Sequence, residues 1–115
     1  MWRDLGRRRG EYRHSARLIT LNPRMSEALQ RSTLAHELGH AHYGDMWVAD
    51  PNVVAFQERR ANKYAARILI SPTEYALAEA IAGPHAGALA KELGVARYIV
   101  EAWQAKPVVN DWKVG

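Results

Sequence analysis

The stretch Ser32-Thr33-Leu34-Ala35-His36-Glu37-Leu38-Gly39-His40 decides how the chain is read. It lies inside a run, about Ser26 to His42, with the marks of a helix. Ser26 can cap it, Glu27 suits its positive end, and Leu29, Thr33, His36 and His40 fall on one stripe. Gly44 can adopt the left-handed conformation that closes it. At about 3.6 residues per turn, positions four apart stand one above the other. His36 and His40 therefore project from one face and can offer two imidazole nitrogens to a single zinc ion. Glu37 projects about 100° away, where a base must lie to take a proton from a metal-activated water. Gly39 lets another backbone approach, and Leu34, Ala35, Leu38 and Ala41 are the expected packing surface.

A catalytic zinc site takes three protein ligands and keeps one position open. The chain has no cysteine, which excludes thiolate ligands, a cysteine nucleophile, iron–sulfur clusters and a disulfide scaffold. Tyr43 and Met46 stand where the extended metzincin motif needs Gly and His, so that class is excluded too. His42 points about 200° away from His40. The third ligand is expected to be Glu58, 18 residues beyond His40, with Asp45 and Asp50 as alternatives. Glu58 belongs to a second helix, from Asp50-Pro51 to about Leu69. Asn62 shares its face and can hydrogen-bond the second nitrogen of a ligand histidine, and Ala61, Ala65 and Ala66 keep that face thin.

Outward from these helices the pattern is α+β. Glu11–His14 and Arg17–Leu21 read as a hairpin ended by Asn22-Pro23. Ser71-Pro72-Thr73-Glu74 is a capping box that starts a third helix ending near Gly83-Pro84. Two shorter helices follow, about 86–93 and 96–106, hinged at Gly94, and 107–115 reads as a loose tail. The 115 residues make one domain: a basic β segment (1–25), the zinc-binding helices (26–70) and the C-terminal helices (71–106). With 48% hydrophobic and 24% charged residues the composition is globular. No apolar run reaches the ~20 residues of a membrane span, and no apolar stretch follows the N-terminal arginines, so a cytoplasmic protein without a secretory signal is expected.

With the motifs placed, the chain resembles the ImmA/IrrE family of metallo-endopeptidases. The likeness rests on Thr33-Leu34-Ala35-His36-Glu37-Leu38-Gly39-His40 followed by Glu58-Arg59-Arg60-Ala61-Asn62-Lys63-Tyr64-Ala65-Ala66 and the run to Pro72. It covers about residues 17–105; Arg60, Tyr64 and Ser71 depart from the family pattern, none of them at a proposed ligand. The resemblance implies a minimal zincin-like fold with a small sheet beside the cleft, and Glu58 as third zinc ligand. It also implies a protein substrate, often a helix-turn-helix transcriptional repressor of a phage or mobile element, cleaved to relieve repression. Tyr43, Tyr12 and His14 are donors by chemistry alone for the developing oxyanion. An extended substrate is expected to pair with the sheet edge near Ile19.

A competing function is a DNA-binding regulator. Ala90, Gly94 and Val100 have helix-turn-helix spacing within 86–105, and residues 1–31 carry eight Arg against Asp4, Glu11 and Glu27. The would-be recognition helix offers only Arg97, Tyr98 and Glu101, a weak set for phosphates, so packing of this pair onto the zinc helices is the stronger expectation.

Overall fold

The computed structural model describes residues 9–105; Arg3, Arg7 and Arg8 of the basic arm, and Lys106 with the tail 107–115, lie outside the described residues. Strands β1 (Gly10–Arg13) and β2 (Leu18–Leu21) pair antiparallel, Gly10 facing Leu21 and Arg13 facing Leu18. Arg17 adopts φ 49°, and its N–H donates to the His14 carbonyl at 3.1 Å. It belongs to the turn, so β2 starts one residue later than the alternation suggests. Asn22 breaks the strand by accepting the Arg24 N–H on its Oδ1 at 3.0 Å.

Helix α1 (Glu27–Tyr43) starts at Ser26, whose hydroxyl accepts the Leu29 N–H at 3.2 Å, and ends at Gly44 with φ 66°. Helix α2 (Pro51–Leu69) is capped by Asp50, which accepts the Asn52 N–H at 2.9 Å. The two helices cross where Gly39 meets Ala61: a Cβ on Gly39 would lie 2.9 Å from the Ala61 Cα. Only a residue without a side chain allows that approach. Inward positions of α1 are thereby divided between α2 (Ala35, Gly39) and the cleft (Thr33, His36, Glu37). Leu34 and Leu38, expected in the packing surface, are left outside at 41% and 39% exposure, while Ala35 is buried.

Ser71 caps α3 (Pro72–Ala82) by accepting the Glu74 N–H at 3.1 Å. Helices α4 (Ala86–Leu93) and α5 (Arg97–Gln104) meet at Gly94, φ 67°. The pair packs inward: Leu89, Ile99 and Val100 have no exposed surface and join Ala35, Ala65, Ala66 and Ile70 in one core. Full burial of each such large side chain stabilises by about 1.5–3 kcal/mol. Helix α5 is also tied to α1, because Ser32 Oγ accepts the Ala96 N–H at 2.8 Å and Arg31 donates to the Gly94 carbonyl at 3.1 Å. The described residues thus form an α+β fold of one hairpin and five helices, compatible with a small zincin-like domain. None of these helices is long and apolar enough to cross a membrane.

Candidate metal centre

One turn of α1 brings the imidazoles of His36 and His40 together, ring centroids 4.7 Å apart and nearly perpendicular. Their Nε2 atoms are 3.1 Å apart. From α2, the half-exposed Glu58 carboxylate spans both, Oε2 at 2.9 Å from His36 Nε2 and Oε1 at 3.2 Å from His40 Nε2. The outer nitrogens are held by acceptors: Asn62 Oδ1 lies 2.6 Å from His36 Nδ1, and Asp45 Oδ2 lies 2.9 Å from His40 Nδ1. An amide oxygen and a carboxylate can only accept, so each Nδ1 carries a proton and each Nε2 turns its lone pair to the centre. Two lone pairs and a carboxylate converging at these distances require a cation among them. The chemistry of this donor set fits a divalent metal ion.

In the metal-free protein a proton serves as that cation. Burial works to lower the His40 pKa, but hydrogen bonds to Glu58 and Asp45 outweigh it and push the value up to about 9. Hydrogen bonds to His36 and then to His40 hold Glu58 well below the usual carboxylate range despite the opposing effect of burial.

Glu37 is placed differently. Its carboxylate is buried, one oxygen (Oε2) has no hydrogen-bond partner, and a ligand atom of Glu37 lies within 4.8 Å of those of His36 and His40. Glu37 thus lies near enough to share a metal ion with His36 and His40, yet Glu58 makes direct contacts to both imidazoles. Geometry therefore gives Glu58 the better position as third donor and leaves Glu37 free beside it. Burial raises the Glu37 pKa, partly offset by the two histidines. Such a carboxyl holds a proton more readily than an ordinary carboxylate, which suits a group that must take and return one.

The alternative ligands stand elsewhere. Asp45 contacts the outer nitrogen of His40 rather than Nε2, and its second oxygen pairs with Arg60. Asp50 is spent on capping α2. Arg60 lies 3.9 Å from the Tyr43 ring centroid and 5.0 Å from that of Phe56, so this departure from the family pattern reaches His40 through Asp45. His42 stacks on Tyr64 at 4.7 Å, away from the centre. Of the suggested oxyanion donors, Tyr43 sits against Arg60 and Tyr12 bonds His14 Nδ1 at 2.7 Å. None of the three lines the cleft.

The cleft over the site has a volume of about 540 Å³. Besides the metal-facing residues it is lined by Arg9, Gly10, Thr33 and Tyr98. A Cβ on Gly10 would lie 2.7 Å from Thr33 Cγ2, so the glycine allows β1 to press against α1. Gly10 of β1 borders the cleft, not Ile19 of β2. Arg9 and Tyr98 were not among the residues expected in the site. Helical spacing shows that α5 has an apolar face, but not that its neighbour Tyr98 is turned toward α1.

The family model described as Peptidase M78, IrrE N-terminal-like domain, matches residues 2–102. The chain belongs to the Peptidase M78 family. That membership, with the converging donors, makes it a metallopeptidase-family protein and agrees with the resemblance drawn from its motifs. No curated protein and no solved structure matches the chain.

Proposed function

We propose that the protein is a zinc-dependent endopeptidase. One observation carries this reading: two imidazole Nε2 atoms and the Glu58 carboxylate converge on one point beside a buried, partly unpartnered Glu37 carboxylate. His36, His40 and Glu58 would hold the metal, and Asn62 would keep His36 in the required tautomer. Bound there, zinc would supply a Lewis acid that acidifies water toward neutrality and polarises a carbonyl oxygen. Glu37 takes a proton from the attacking water and delivers it to the leaving amine, a role that its raised pKa suits. Nitrogen, oxygen and a water-accessible cleft favour zinc on donor chemistry.

The likeness to the ImmA/IrrE family supports a helix-turn-helix transcriptional repressor as substrate, met in the cytoplasm. The DNA-binding alternative for 86–105 gains no support from the geometry. Arg97 pairs with Glu101 at 3.5 Å and Tyr98 faces the cleft, leaving little on α5 to read a base.

The test pairs the zinc-loaded wild type and Glu37→Gln with candidate repressors and follows fragments by mass spectrometry. Both proteins are expected to bind about one zinc per chain. Only the wild type is expected to cut. Undiminished cleavage by Glu37→Gln would remove the assigned base.

A further inference from the structure

The peptidase reading leaves α5 unused, although its sequence had suggested a recognition helix. In the structure Tyr98 of α5 stands edge-on to His36, ring centroids 6.3 Å apart at 90°. It lines the cleft with Glu37 and Glu58. The Arg9 guanidinium carbon lies 5.3 Å from its centroid.

Adding water to a peptide carbonyl places negative charge on oxygen, and a donor fixed in advance at that point accelerates the step. Asn62 is occupied in orienting His36, and the Thr33 hydroxyl points to Met25 Sδ at 3.7 Å. Tyr98 offers a phenol, a hydroxyl donor that is protonated at neutral pH. Its helix is tied to α1 by the buried Ser32, one turn before His36, and packs the fully buried Ile99 and Val100 into the core it shares with α2. A donor mounted on such a rigid element needs no reorganisation when charge develops.

Resting on the peptidase reading, we infer that Tyr98 is a catalytic residue whose phenolic O–H donates to the carbonyl oxygen of the scissile bond. Water adds to the carbonyl carbon and its proton passes to Glu37. The C–N bond then breaks, that proton goes to the leaving amine, and Tyr98 keeps its own proton throughout.

The test uses the full zinc-loaded chain and two probes. One is a pool of peptides randomised around a central peptide bond, and the other is the matching pool with a phosphinate in place of that bond. For Tyr98→Phe, zinc content and fold are expected to match the wild type, with kcat about 100-fold lower and KM within about threefold. Phosphinate affinity is expected to fall by a similar factor, while binding of the uncut peptides, measured in the Glu37→Gln background, stays unchanged. Tyr98→His, which keeps a donor, is expected to recover part of the rate. Wild-type kcat and phosphinate affinity in Tyr98→Phe, or equal weakening toward both pools, overturns the assignment. Loss of zinc from Tyr98→Phe overturns it as well, by making the residue structural. A wild type that neither cuts the first pool nor binds the second defeats the peptidase reading itself, a result distinct from failure of Tyr98 alone.

Discussion

Asp45 has a side chain only 6% exposed, and it contacts His40 Nδ1 through one oxygen and Arg60 through the other. Its charge fixes the imidazole tautomer without touching the metal-facing nitrogen. Asp45→Asn is expected to weaken zinc binding about 10–100-fold, as loss of an orienting carboxylate does elsewhere. Asp50→Ala, which removes only a helix cap, should cost about 1 kcal/mol of stability and leave zinc affinity alone. Competition with a chromophoric chelator separates the two. His40 itself gives a pH signature. Its pKa in the metal-free fold is about 9 against an ordinary 6.5, so its stabilising contribution is complete below 6.5 and lost as pH rises through 9. Glu58 is shifted the other way, from an ordinary 4.5, so its contribution is present above 4.5 and lost as pH falls below that value. Metal-free protein is therefore expected to be most stable between these limits and to soften toward pH 9. Zinc-loaded protein, with Nε2 no longer free to take a proton, should not soften in that range. Chemical denaturation at pH 6, 7.5 and 9, with and without zinc, checks this; identical profiles would contradict it.

Helices α1 and α2 owe their separation to Gly39 and Ala61. Gly39→Ala gains helix propensity of up to about 1 kcal/mol, but its Cβ would stand 2.9 Å from a backbone carbon that cannot swing aside. Overpacking of this kind costs about 1–3 kcal/mol, so net destabilisation is expected, with weaker zinc binding because Glu58 moves away from the histidines. Thermal melts and zinc titration of the variant measure both effects. At this scale much was legible in the sequence. Ser26, Asp50 and Ser71 each cap the helix expected of them, and the spacing of His36, His40, Glu58 and Asn62 places them on facing sides of two helices. Capping and helical phase are local, set by a few neighbouring residues. The outward turn of Leu34 and Leu38, the diversion of Asp45 to Nδ1 and the inward turn of Tyr98 depend on contacts between distant segments. Periodicity cannot show which of two apolar faces a neighbour will cover.

For the whole molecule, the composition of the core determines how much a metal matters. Among the described residues alanine fills six buried positions (Ala35, Ala61, Ala65, Ala66, Ala78 and Ala90), and the large apolar chains with no exposed surface, Leu89, Ile99 and Val100, lie in α4 and α5. The α1–α2 pair meets through small residues, Gly39 against Ala61, and the proposed metal donors come from both of its helices. A cation bound by His36, His40 and Glu58 would cross-link α1 to α2. Free metal at 100 times its Kd stabilises the fold by about 2.7 kcal/mol, which in a domain of this size raises Tm by on the order of 10 °C. Chelation is expected to remove that increment reversibly. Glu58→Gln should shrink the increment by weakening binding, whereas Arg97→Ala, on the exposed side of α5, should leave it intact. Unfolding curves recorded by circular dichroism, with chelator and with zinc in excess, test the cross-link directly. A Tm indifferent to zinc would mean that α1 and α2 hold together without it.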